Sequence, residues 1–122
     1  MSDNEILVGN NRLYINEDGI MHITIIGATD EAMAGAIIDA ALKLEEKIPG
    51  KIEVLLDLSK AGTSSPDAIT LWKDLIAKGK ADKLAMVGLG FLAKSFTCVL
   101  LSGSTNLRCF DDEAEALAWF KE

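Results

Sequence analysis

The sequence contains few of the residues that build disulfide scaffolds, metal sites or catalytic triads. Its 122 residues include two cysteines, one histidine and two prolines. Nothing in the sequence suggests export, so we expect the two isolated cysteines, Cys98 and Cys109, to be reduced core thiols, with a disulfide or redox pair as the alternative. A single histidine, with no cluster of acidic or sulfur ligands at metal spacing, argues against a metal centre. The sequence therefore predicts neither a metal nor a cofactor.

Long apolar runs and concentrated positive charge are also missing. No segment approaches the roughly 18 consecutive apolar residues of a membrane span. The formal net charge is −7, and the 12 basic residues are dispersed, which disfavours nucleic acid and anionic membranes as partners. The opening residues lack a basic segment followed by an apolar one, so we expect no secretory signal and a cytoplasmic location.

What is present is typical of a small globular domain. The chain is 49% hydrophobic and 25% charged, and its length suits one hydrophobic core. No internal repeat or linker divides it. We therefore treat residues 1–122 as a single domain.

The first half of the chain carries a hairpin followed by a helix. Two extended runs flank Asp18-Gly19, a dipeptide that favours a tight turn, and the second run spans about Ile20–Ile26. Thr29 is a plausible N-cap for the helix that follows, because acidic residues occupy its first turn and apolar residues then recur at helical spacing. His22 lies within the second run, where we expect a half-exposed strand residue.

The second half alternates short buried strands with helices. A helix is predicted to begin at Pro66 and to be followed by a strand, a helix over Phe91–Ser102, a last strand, and a helix capped by Asp111 or Asp112. The resulting order is ββαβαβαβα. It predicts an α/β domain with a mixed five-stranded sheet and four helices.

Four segments, taken in order, resemble one protein family. They read EDGIMHITIIG, VLLDLSKAG, KLAMVG and CFDDEAEALAWF, and with their spacing they cover about residues 12–121. The chain is similar in these segments to the SpoIIAA-like family of small bacterial proteins, which has a STAS-type fold and is sometimes called STAS/SEC14. The resemblance implies a non-enzymatic regulatory or protein-interaction module. The SEC14 side of the family implies, as an alternative, a carrier of an apolar or lipid-like small ligand.

The resemblance also implies a candidate phosphoacceptor near the start of the second helix. In anti-sigma-factor antagonists a serine there accepts phosphate and controls partner binding, and Ser64 or Ser65 occupies that place. A helix N-terminus favours phosphate, but Pro66 removes one N–H donor and Asp67 adds a like charge. A plain N-cap at Ser65 is the competing interpretation.

Polar residues after the central strand form a candidate ligand crevice. Parallel sheets bind ligands at the carboxyl ends of their strands, and Asp57 lies where the predicted central strand ends. A loop-stabilising hydrogen bond from Asp57 is the alternative. The glycines of GLGFLA match a nucleotide-binding pattern, with a tight strand-to-helix turn as the alternative. The candidate crevice residues are Asp57, Ser59, Lys60, Thr63, Gly88 and Gly90.

The predicted helix Phe91–Ser102 is apolar around most of its circumference. Eight of its twelve residues are apolar, and Phe91, Cys98 and Leu101 have no place on a solvated face. Such a helix is buried on more than one side, by a second copy of the chain, by an apolar ligand, or by neighbouring loops. We expect a non-enzymatic module whose partner is itself or another protein, with an apolar small molecule as the alternative.

Overall fold

The structure, a computed structural model, describes residues 4–78, 81–88 and 107–122. These residues form one mixed sheet with helices on both faces, which confirms the α/β class. The sheet has six strands, so the prediction of five is wrong. The strands are β1 (Glu5–Val8), β2 (Asn11–Ile15), β3 (Met21–Thr29), β4 (Glu53–Ser64), β5 (Lys83–Val87) and β6 (Leu107–Phe110).

The additional strand is β1, which pairs with β2 across a turn at Gly9 and Asn10. Its four residues are too few to display the alternation that identifies a strand in a sequence. The expected turn at Asp18-Gly19 is confirmed, and Gly19 has a φ of 78° there. That positive φ is a conformation that glycine adopts without steric cost.

The spatial order of the strands follows the sequence, from β1 at one edge to β6 at the other. Strand β2 is antiparallel to both of its neighbours, β1 and β3, and β3, β4, β5 and β6 run parallel. The parallel half requires crossover connections, and helices supply them between β3 and β4 and between β4 and β5. The predicted hairpin followed by parallel crossovers is thus confirmed.

The described residues contain three helices, where the sequence predicted four for the whole chain. They are α1 (Glu31–Glu45), α2 (Pro66–Lys78) and α3 (Glu113–Phe120). The predicted helix Phe91–Ser102 lies outside the described residues. The N-cap of α1 is Asp30, whose carboxylate accepts a hydrogen bond from Met33 N–H at 2.8 Å. Thr29, the predicted cap, is instead the buried last residue of β3.

Two apolar layers lie on opposite faces of the sheet. Side chains alternate along a strand, and β4 sends Val54 and Leu56 into the layer beneath α1, and Leu55 into the layer beneath α3. Leu55 is only 1% exposed. Full burial of a side chain of this size stabilises the fold by about 1.5–3 kcal/mol.

The described helices do not cover the two faces equally. Helix α3 packs against β4, β5 and β6, so the part of the same face that β1–β3 form lies beyond it. The register places Leu7, Arg12 and Thr24 side by side there, and Leu7 is 61% exposed. We call this surface the open band. Its residues are Leu7, Arg12, Tyr14, Thr24 and Ile26.

Candidate functional site

The predicted crevice residues lie along a strand rather than around a cleft. Strand β4 continues past Asp57 to Ser64, pairing Lys60 with Ile26 of β3. Their partners on β3 show the span: Thr24 pairs with Asp57 and Thr29 with Ser64, five positions apart, which at about 3.3 Å per residue is roughly 16 Å. The structure therefore does not bring the predicted residues of β4 into a single crevice.

A smaller group of the predicted residues does meet, at the point where β5 ends. One carboxylate oxygen of Asp57 accepts hydrogen bonds from Ser59 N–H at 2.9 Å and from the Ser59 hydroxyl at 2.8 Å. This is the loop-type bond that was the alternative to a ligand role for Asp57. Gly88, with a φ of 86°, packs directly on Ser59, since a Cβ at Gly88 would lie 2.4 Å from Ser59 N. Gly90 lies outside the described residues.

The two candidate phosphoacceptor serines have different structural roles. The Ser65 hydroxyl accepts a hydrogen bond from Ala68 N–H at 3.1 Å, which is the N-cap bond of α2. Ser64 ends β4 and pairs with Thr29. The cap interpretation of Ser65 is confirmed, and phosphorylation at either serine stays a prediction.

The residues predicted to form an interface or an apolar ligand site, Phe91, Cys98 and Leu101, lie outside the described residues. Cys109 on β6 is described, and it is disulfide-bonded. The expectation of a reduced thiol is wrong at this position. Whether a cysteine is oxidised depends on which residues the fold brings together, and no local pattern in the sequence contains that information.

A polar cluster that the sequence did not identify surrounds His22. The His22 ring stacks on Tyr14, its cross-strand neighbour in β2, with ring centroids 4.8 Å apart. The Arg12 guanidinium lies 4.2 Å from the Tyr14 ring centroid and also pairs with Glu5. Nδ1 of His22 lies 3.6 Å from a carboxylate oxygen of Glu113, the first residue of α3.

The side chain of Asn16 determines which ring nitrogen of His22 carries the proton. Oδ1 of Asn16 accepts hydrogen bonds from Asp18 N–H at 2.9 Å and from Ile20 N–H at 3.0 Å, so its amide cannot be reversed without losing both. Nδ2 of Asn16 therefore faces His22 Nε2, at 2.9 Å, as a donor. Nε2 must then be the acceptor, so neutral His22 carries its proton on Nδ1, facing Glu113.

Burial is the largest influence on His22. The residue is 9% exposed, so the expectation of a half-exposed strand residue is wrong. Burial lowers the pKa of His22 and Arg12 lowers it further, while the carboxylates of Glu113 and Asp57 act in the opposite direction. The net effect is a pKa below the ordinary value, which favours the neutral ring.

The hairpin register could have predicted part of this cluster. Counting outward from the Asp18-Gly19 turn places Tyr14 opposite His22. The approach of Glu113 could not be predicted in this way, because it depends on where α3 packs.

In the described part of the chain, no group of three acidic, cysteine or histidine side chains is arranged to hold a metal ion. No helix within those ranges is long and apolar enough to cross a membrane.

Comparison with known proteins gives the chain a family. The sequence model of the SpoIIAA-like family matches residues 20–121. A search of curated proteins finds no match. A similar solved structure is an uncharacterized protein of the DUF3478 family, with a SpoIIAA-like fold, from Shewanella loihica PV-4. It has 20% sequence identity and a TM-score of 0.70, with 98% of each chain covered, which is a likeness of fold. The family match extends over most of the sequence, and the chain belongs to the SpoIIAA-like family.

Proposed function

We propose that this chain is a non-enzymatic interaction module that acts by protein contact and associates with a second copy of itself through β1. The observation that carries the proposal is the 61% exposure of Leu7, an apolar residue in the middle of the edge strand. Family membership supports a module of this class. The following features of β1 support a second copy as its partner.

The main chain of β1 has hydrogen-bonding groups that point away from the sheet. Ile15 N–H donates to the Asn4 carbonyl at 2.9 Å, which makes these two residues a hydrogen-bonded pair. Such pairs alternate along an antiparallel ladder, so Ile6 directs its main-chain groups toward β2, and Glu5 and Leu7 direct theirs outward. Among the described residues no strand pairs with this edge. A second strand can therefore add to it.

The side chains of β1 permit such an approach. Natural edge strands are commonly protected by lysine, proline, a bulge, other charges or a very short length; Glu5–Val8 contains no lysine, proline or bulge, and its protection is limited to Glu5 and its length of four residues. Two copies of a chain with a net charge of −7 repel each other, but Glu5 is paired with Arg12 and leaves this edge locally neutral. Antiparallel pairing about a two-fold axis centred on Leu7 would place Leu7 beside its symmetry mate.

The contact is small, which sets the expected affinity. Two four-residue strands bury less than the roughly 1,200 Å² at which stable interfaces begin. We therefore expect a weak dimer that forms as the protein concentration rises. The predicted interface at Phe91, Cys98 and Leu101, the apolar-ligand carrier and the phosphoserine switch remain separate predictions.

Sedimentation equilibrium over a wide concentration range tests this proposal. Leu7→Lys should weaken the dimer at least about tenfold, because it places two like charges opposite each other. Leu42→Lys is the matched control, since Leu42 is an apolar residue that is 42% exposed on α1 and is not part of the edge strand. Far-UV circular dichroism establishes that both variants are folded. A monomer at every concentration, or equal weakening by both variants, would overturn the proposal.

A further inference from the structure

We propose that His22 is a proton-operated latch between the β2–β3 turn and the start of α3, holding the turn when neutral and releasing it when protonated. The inference does not depend on the proposed self-association. It rests on the positions of Asn16, which belongs to the turn, and Glu113, which belongs to α3, on opposite sides of one buried ring.

In the neutral state the ring is part of the turn's hydrogen-bond network. Asn16 accepts from two turn N–H groups, those of Asp18 and Ile20, and donates to His22 Nε2. Two main-chain bonds, from Asn16 N–H to the Ile20 carbonyl and from Gly19 N–H to the Asn16 carbonyl, close the same turn. His22 therefore anchors the turn to the face of the sheet through one side chain.

Protonation makes that anchor impossible without rearrangement. A proton on Nε2 would point at the Asn16 amide nitrogen, so two donors would face each other. Asn16 can present its oxygen only by giving up the bonds from Asp18 and Ile20. The alternative is that the ring, now positively charged, moves away from Asn16 and toward the carboxylate of Glu113. The first response breaks two hydrogen bonds within the turn, and the second breaks the bond that joins the turn to the ring.

The charges around the ring set the direction of this switch. From β2, Arg12 opposes protonation, and Tyr14 stacks on the ring. From β4 and α3, the carboxylates of Asp57 and Glu113 favour it. The protonated ring is thus attracted toward α3, while on the side of the turn it faces a hydrogen-bond donor. Protonation therefore favours movement of the ring away from the turn and toward α3.

The pH range follows from the direction of the pKa shift. An unfolded chain protonates its histidine near pH 6.5, whereas burial holds the pKa of His22 lower in the folded protein. At neutral pH the latch is closed. As the pH falls below about 6.5, the unfolded state takes up the proton first, so folded-state stability decreases until the folded pKa is passed. The latch opens only when the pH falls below the lowered pKa of His22 in the folded protein.

Nuclear magnetic resonance can follow the latch directly, because His22 is the only histidine in the chain. At neutral pH, long-range proton–nitrogen spectra should show the Nδ1–H tautomer. On acidification the ring should titrate below pH 6.5, and the amide signals of Asp18 and Ile20 should shift with the same midpoint. An Nε2–H tautomer, a midpoint at or above 6.5, or turn amides that do not follow the ring would overturn the proposal.

Asn16→Asp is the decisive variant because it is nearly isosteric. One carboxylate oxygen can keep the bonds from Asp18 and Ile20, while the other faces Nε2 as an acceptor. We expect the His22 midpoint to rise above 6.5 and the turn amides to stop following the ring, since the protonated ring now stays attached. An unchanged midpoint would overturn the latch.

Two glutamate variants complete the test. Glu113→Gln removes the attraction on the α3 side, so the midpoint should fall below that of the unmodified protein. Glu31→Gln, an exposed position at the start of α1, is the matched control and should leave the midpoint unchanged. Equal effects of the two substitutions would mean that net charge, and not the contact with Glu113, governs the ring. That result would contradict the proposal.

Discussion

At the scale of single residues, the tightest requirement is at Gly88, where β5 ends against β4. A methyl group there would lie 2.4 Å from Ser59 N, which donates its hydrogen to Asp57. Gly88→Ala must therefore displace main chain as well as adopt an unfavourable φ, and we expect a loss of roughly 2–4 kcal/mol. Urea-induced unfolding measures this loss.

Gly19→Ala provides the control for Gly88. Gly19 has a similarly positive φ of 78°, but nothing lies within 4 Å of its added methyl group. The conformational strain alone should cost about 1 kcal/mol. If the two variants lost equal stability, the close approach between Gly88 and Ser59 would have no energetic weight.

Some residue roles could be predicted from the sequence and others could not. The cap at Ser65 and the Asp57 bond follow from short-range chemistry, in which a side chain bonds main chain two or three residues away. The environment of His22 combines a turn, a neighbouring strand and a helix 91 residues further along the chain. No local pattern contains that information.

At the scale of elements, the start of α2 depends on one hydroxyl. Ser65→Ala removes the acceptor for Ala68 N–H and should cost about 1 kcal/mol in the free energy of unfolding. Ser64→Ala is the matched control, because Ser64 lies at the end of β4, one position before the cap. Thermal unfolding of the two variants compares them, and an equal effect would contradict the assignment of Ser65 as the cap.

Element boundaries were harder to predict than element order. The segment SKAGTS reads as a loop because it contains a glycine and small polar residues. In the structure it is the end of β4, held by pairing with β3 through to Thr29, with irregular register on the way. Pairing with β3, and not its own composition, makes this segment a strand. The residues of β4 that were predicted to surround a crevice therefore lie one after another along the strand.

At the scale of the whole molecule, the mixed sheet could be predicted and its open band could not. A hairpin followed by alternating strands and helices leaves few arrangements, and the expected one is present. How far each described helix extends over a face depends on where that helix packs, which no local pattern states. Helix α3 lies over β4–β6. On the part of the same face that β1–β3 form, Leu7 is 61% exposed and Ile26 is 39% exposed.

Net charge gives a whole-molecule prediction for self-association through β1. Each copy carries a charge of −7, whereas Glu5 and Arg12 neutralise each other beside the proposed contact. Added salt screens the repulsion between copies over a length of about 10 Å at 0.1 M and removes little attraction from an apolar, main-chain contact. We therefore expect the dimer to tighten as sodium chloride is raised from low concentration, as measured by sedimentation equilibrium at constant pH. A dimer that weakens with salt would be held by ion pairs between the copies, and pairing through Leu7 and the β1 main chain could not account for it.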